Sequence, residues 1–163
     1  MRISIWPGAG QRYDAPAEAV HAMLNDPKFR ERVCARMRVI RASATVEPQG
    51  SASVVTIDQV QPAAGLPSFA TKLVGAEIRI VQQETWTSQD HADVHVTIPG
   101  KPGEMTGSAD LAESGGRTVE TVDLEIRVRV PLVGGKIESL VAEMLRKALA
   151  AENAEGRAYL SGS

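Results

Sequence analysis

Residues 117–130 read RTVETVDLEIRVRV, residues 131–135 PLVGG and residues 136–160 KIESLVAEMLRKALAAENAEGRAYL. From Val122 the first segment alternates without a slip. Val122, Leu124, Ile126, Val128 and Val130 share one face, and Asp123, Glu125, Arg127 and Arg129 share the other. That period belongs to an antiparallel strand with one buried face and one wet face. Pro131 ends it, because proline brings no N–H to the ladder, and the glycine pair lets the chain reverse. Beyond it Ile137, Leu140, Val141, Met144, Leu145, Ala148 and Leu149 recur at helical spacing. Glu138, Glu143, Arg146, Lys147 and Glu152 are read as lying off that stripe, with Glu138 in the first turn, where the helix dipole favours an anion. A helix of about 25 residues is roughly 38 Å long, and a strand of about 13 residues spans roughly 43 Å. One helix can therefore lie along one whole strand. Its seven apolar side chains are each worth about 1.5–3 kcal/mol on burial. They need a broad apolar partner, and a curved antiparallel sheet supplies one.

At 163 residues, 43% hydrophobic and 23% charged, the chain reads as one ordinary globular domain spanning 1–163. The net charge of −2, with no basic block, argues against nucleic acid as a partner, since phosphate contacts need clustered Lys and Arg. The single cysteine, Cys34, excludes an internal disulfide and fits a reducing compartment. No run approaches the ~20 apolar residues of a membrane span, and the N-terminal residues lack the apolar run of a signal peptide. A soluble cytoplasmic protein without an integral membrane segment is expected.

Upstream, residues 2–13 read as an edge strand interrupted at Pro7-Gly8. Asp14-Ala15-Pro16-Ala17-Glu18 starts a short helix, with Asp14 as the capping residue, proline in the first turn and then an acid, and with Val20, Met23 and Leu24 inward. Asp26 caps a second one carrying Phe29, Val33 and Met37. Strands follow at 37–47, 53–60, 77–87, 93–98 and 105–111, separated by turn residues such as Pro48-Gln49-Gly50 and Glu113-Ser114-Gly115-Gly116. The sum is one strand, two short helices, six strands and a long helix, with hairpins that argue for an up-and-down antiparallel sheet. The longest insertion, residues 62–76, carries a short helix near Ser68 to Val74. Phe69, Leu73 and Val74 would cover the open mouth of the sheet, either as a lid hinged at Gly65 and Gly75 or as a fixed plug.

This order resembles the helix-grip fold of the START-like superfamily, also called SRPBCC. Three segments narrow the resemblance to the bacterial family Domain of Unknown Function 2505. They are Leu66-Pro67-Ser68-Phe69-Ala70 with Val74-Gly75, then Pro99-Gly100-Lys101-Pro102-Gly103, and Val130-Pro131-Leu132-Val133-Gly134-Gly135-Lys136. The resemblance covers essentially the whole chain. It implies an α+β fold in which a curved seven-stranded antiparallel sheet curls around the C-terminal helix, with two short helices after strand 1 and an apolar cavity between sheet and helix. The superfamily includes lipid carriers, hormone binders, polyketide cyclases and co-chaperones, so it implies a cavity more than a use.

Catalytic signals are weak. His91 and His95, four residues apart on a strand, would stand about 13 Å apart, too far for one ion with ~2 Å bonds, and they read as surface histidines. His21, on the first short helix, reads as solvated or locally bonded. Gly134-Gly135-Lys136 fails the phosphate-loop spacing and reads as a turn into a helix. Cys34 has no histidine near it in sequence to activate it. No catalytic residue, metal or cofactor is assigned.

The sharper signal is Ile78, Ile80, Gln82, Glu84 and Trp86, which share one strand phase. If the isoleucines face inward, so do Gln82, Glu84 and Trp86, and Gln59 joins them from the neighbouring strand. A carboxylate there costs several kcal/mol unless paired or neutral. It would orient the polar end of a ligand or act as an acid or base. The alternative, weighed somewhat higher, is a β-bulge after Ile80 that returns Glu84 to water. Candidate cavity or lid residues are therefore Gln59, Phe69, Leu73, Gln82, Glu84, Trp86, Met105, Val141, Met144 and Leu145. The expected function is a binding or carrier protein for an apolar small molecule or lipid. A cyclase- or hydrolase-like enzyme and a co-chaperone-like interaction module stand as alternatives.

Overall fold

A computed structural model describes residues 1–5 and 11–162, and the structural statements below are of those residues. The elements are β1 (Arg2–Ile5), β2 (Arg12–Tyr13), α1 (Ala17–Leu24), α2 (Pro27–Arg36), β3 (Arg41–Gln49), β4 (Ala52–Pro62), α3 (Ser68–Val74), β5 (Glu77–Trp86), β6 (His91–Thr97), β7 (Gly103–Ser114), β8 (Arg117–Val128) and α4 (Gly134–Leu160). The strands form one antiparallel sheet in the order β1-β8-β7-β6-β5-β4-β3, with two-residue β2 also pairing with β8. This is the α+β helix-grip architecture, a curved sheet with one long C-terminal helix. The eighth strand arises because β1 and β2 are separate strands. The expected interruption at Pro7-Gly8 lies outside the described residues.

Local chemistry sets most boundaries. Asp26 caps α2 by accepting a hydrogen bond from Lys28 N at 2.9 Å, with Pro27 in the first turn. Asp14 does not cap α1. That helix begins after Pro16, and its first free N–H, on Ala17, donates to Glu113 Oε1 from β7 at 2.7 Å. Met37 is the C-cap of α2 and not the start of a strand. Pro48 is tolerated within β3 because β3 is an edge strand, paired only with β4. In β8, which ends at Val128 and not at Val130, Val122, Leu124 and Ile126 are buried while Arg127 is exposed. The alternating outer face is salt-bridged at the surface, with Arg2 to Asp123 at 3.1 Å and Arg127 to Glu125 at 3.0 Å.

The interior has two ends of different character. At one end Tyr13, Val20, Met23, Leu24, Phe29 and Trp86 are all 2% exposed or less. The C-terminal half of α4 is pressed onto this cluster through Gly156, where an added Cβ would lie 2.6 Å from Tyr13 Cε1 and 3.1 Å from Met23 Cε. At the other end α4 starts against the end of β8. Gly134 sits close under the Val128 carbonyl, and Glu138 Oε1 accepts from Val128 N at 3.1 Å. Between these two fastenings the apolar stripe of α4 is not fully covered. Ile137, Leu140, Val141, Met144, Leu145 and Ala148 are only half-buried. The helix is held like a beam across the sheet, and a space remains beneath it.

Candidate functional site

The space is a cavity of about 600 Å³, within the range of small-molecule sites. The sheet lines it with Ile57, Ile78, Ile80, Val94, Val96, Met105, Leu124 and Ile126, and α4 with Leu140, Val141, Met144, Leu145 and Ala148. The insertion closes one side through Leu66, Ala70, Leu73 and Val74. Of the candidates named above, Gln59, Leu73, Gln82, Glu84, Met105, Val141, Met144 and Leu145 line this space. Phe69 and Trp86 are not among the lining residues. Phe69 is half-buried on α3, and Ala70 takes the inward position. Trp86 shares the inward phase but is sealed in the packed end, edge-on to His21. Both segments that flank α3 turn on glycines in the left-handed region, Gly65 at φ 90° and Gly75 at φ 79°.

No bulge follows Ile80. The β4–β5 register runs unbroken from Pro62↔Glu77 to Ser53↔Trp86. Glu84 is therefore inside, 5% exposed. What makes this possible is Arg30, itself 2% exposed and reaching in from α2. Its Nη2 donates to Glu84 Oε2, its Nη1 to Glu152 Oε2 at 2.9 Å, and its Nε to the Leu24 carbonyl at the end of α1 at 2.7 Å. One guanidinium thus ties α1, α2, β5 and α4 together. Glu84 accepts further hydrogen bonds from Gln82 Nε2 at 2.7 Å and from Trp86 Nε1 at 3.1 Å. These donors offset the cost of burying its charge.

Glu152 corrects the sequence reading. It lies on the inner stripe of α4, 7% exposed, and lines the cavity. A further inner carboxylate, Glu120 of β8, stands beside it. Glu120 is 3% exposed and accepts from Gln11 Nε2 at 3.4 Å. Burial, then the charges of Glu152 and Glu84, push the Glu120 carboxyl well above the usual carboxylate range. Burial also raises Glu152, against the pull of Arg30. Glu120 and Glu152 lie side by side, and no donor reaches Glu152 Oε1.

Sequence reasoning missed Arg30, Glu120 and Glu152, although their periodicity was present. Arg30 stands three and four residues before Val33 and Cys34, both buried on α2. Glu120 is two residues before Val122 in the same phase, and Glu152 is three after Leu149. Cys34 also faces the cavity, and burial pushes its thiol up to about 11, which leaves it unreactive. The three histidines stay outside. His91 bonds Asp110 and Asp93, His95 bonds Glu104, and His21 meets the Gln89 carbonyl. Among the described residues no group of His, Cys, Asp and Glu is arranged to hold a metal, and no helix is long and apolar enough to cross a membrane.

The raised Glu120 carboxyl makes a prediction with a definite sign. A carboxyl whose pKa is higher folded than unfolded holds its proton more tightly in the native state. Its contribution to stability is complete below its ordinary value of 4.5 and is lost as pH rises through the folded value. Glu120→Gln keeps the shape and removes that titration. Its stability relative to wild type should therefore rise between about pH 5 and 8, by up to ~1.4 kcal/mol per pH unit. Urea unfolding at a series of pH values reads this directly. A difference that stays flat or falls would mean that Glu120 is not protonated on folding.

Residues 9–160 match the family described as "Protein of unknown function (DUF2505)". The uncharacterized protein Rv0481c of Mycobacterium tuberculosis is 30% identical over 125 residues, covering 72% of this chain and 71% of that protein. Among solved structures, TTHA0849 from Thermus thermophilus superposes with a TM-score of 0.64 at 16% identity, covering 100% of this chain and 99% of that one. A START superfamily protein from Mycobacterium smegmatis gives a TM-score of 0.55 at 14% identity, covering 95% and 97%. These structures share the fold with this chain, and the chain itself, matched over nearly its full length, belongs to the DUF2505 family.

Proposed function

We propose that the protein binds or carries an apolar small molecule or lipid between its sheet and α4. The observation that carries this reading is the 600 Å³ cavity beneath a half-buried apolar helix stripe. An apolar face left uncovered over that length forgoes about 25 cal/mol per Å², which a bound apolar molecule would restore. The polar groups gathered at the deep end fit the usual plan of such sites, in which a few polar side chains orient a mostly apolar ligand. The lid position of α3, between glycines that tolerate large backbone changes, supports entry on that side.

A neutral, polarity-sensitive dye such as Nile red tests the reading. Wild type should bind it with a blue-shifted emission, and Ala148→Phe, which fills the space from α4, should weaken binding at least about 10-fold with the fold retained by circular dichroism. Equal binding by the folded variant, or none by wild type, would remove the cavity as the site. Glu120 favours a second reading, acid–base catalysis in the same cavity, because a protonated buried carboxyl beside a carboxylate is equipped to move a proton. In that case Glu120→Gln would keep dye binding and abolish turnover of a bound substrate.

A further inference from the structure

The polar end of the cavity gathers three carboxyl groups. Glu84, Glu120 and Glu152 converge on the single Arg30, and Gln82 stands beside them. Three donors of Arg30 are already committed to Leu24, Glu84 and Glu152. The Gln82 amide is oriented by chemistry. Glu84 can only accept, so the nitrogen of Gln82 faces it and the Gln82 oxygen is left for a ligand. Glu152 is only 7% exposed, and its Oε1 has no hydrogen-bond partner. The floor thus sets the single Arg30 among three carboxyl groups.

From this we infer that the ligand's polar end is a hydrogen-bond donor, a primary ammonium or a hydroxyl, and not a carboxylate or phosphate. An ammonium would supply both the missing donor to Glu152 Oε1 and the missing positive charge. A hydroxyl supplies the donor alone. A carboxylate meets two carboxyl groups and an arginine already engaged by both of its neighbours, which costs it desolvation with no new partner.

This rests on the binding function proposed above, and the test separates the two. Dodecylamine, 1-dodecanol and dodecanoate carry the same chain on three heads. Each is titrated below its micellar concentration against wild-type protein loaded with Nile red, at neutral pH, with Ala148→Phe as the control for surface binding. The amine should displace the dye at least about 10-fold more tightly than dodecanoate, with the alcohol between them. Glu152→Gln should narrow the gap between amine and alcohol. If dodecanoate competes as well as the amine or better, the head assignment is wrong while the cavity reading stands. If none of the three displaces the dye, the cavity reading fails and the head assignment with it.

Discussion

Arg30→Met should destabilise the protein by about 3–5 kcal/mol, the usual cost of removing one partner from a buried ion pair. In a domain of this size that is a fall of roughly 6–20 °C in melting temperature. The side chains are close in length, so little of the loss comes from packing. What changes is that Glu84 and Glu152, at 5% and 7% exposure, lose their cation, and the Leu24 carbonyl loses its donor. The charge argument has its own control. Adding Glu84→Gln and Glu152→Gln to Arg30→Met removes the orphaned anions, and the triple variant should recover most of the loss. If the triple variant is as unstable as Arg30→Met alone, lost packing and not charge was responsible. The pH dependence gives a second check. Arg30 pulls the buried Glu152 carboxyl down, so without it Glu152 holds its proton more tightly in the folded state. The gap between wild type and Arg30→Met should shrink as pH falls towards about 4 and widen towards 7.

The same charges mark the limit of what the sequence discloses. The alternation of β8, the stripe of α4, the short pair α1 and α2 and the short helix in the insertion are each written within a dozen or so neighbouring residues, and each is where its local pattern places it. The buried charge cluster is not local. Arg30 lies 54 residues from Glu84 and 122 from Glu152. Judged alone, each carboxylate is expensive to bury, and the expense argues for moving it to solvent by a bulge or off a helix stripe. Judged together, the three elements share one guanidinium and the expense largely disappears. The phase of β5 therefore outranked the charge of Glu84, and the same holds for Glu152 on α4 and Glu120 on β8. Position along the strand or helix was the better guide than residue type. The volume of the cavity has no local signature either, because it is what remains when α4 is fastened at Gly134 and Gly156 and its middle stands off the sheet. Phe69 shows the converse error. A large apolar residue attracts an inward assignment, yet on this two-turn helix the small Ala70 faces in, with Leu73 and Val74, and Phe69 does not.

Gly107→Ala should cost about 3 kcal/mol or more, at the upper end of what overpacking does, and should impair binding as well as stability. Gly107 lies in the middle of β7, opposite Leu124 of β8 and Val94 of β6. The β7 backbone passes so close to β8 there that an added Cβ would collide with the Asp123 carbonyl oxygen and lie 2.9 Å from Leu124 Cα. Both are backbone atoms within a ladder, so neither can turn aside as a side chain would. Glycine inside a strand is otherwise a liability and marks a tight bend or a close approach. Here the close approach sits between Met105 and Ala109, two residues of β7 that line the cavity. Forcing the strands apart would displace that wall and flatten the curve that holds the sheet away from α4. The contrast with Gly103, at the start of the same strand, makes the test specific. An added Cβ there meets its nearest atoms at an ordinary 3.5 Å, so Gly103→Ala should change stability by no more than about 0.5 kcal/mol. Chemical unfolding of both variants, with dye binding measured on whatever folded fraction remains, compares them directly. If Gly107→Ala is as mild as Gly103→Ala, the close approach at Gly107 does not shape the wall of the cavity.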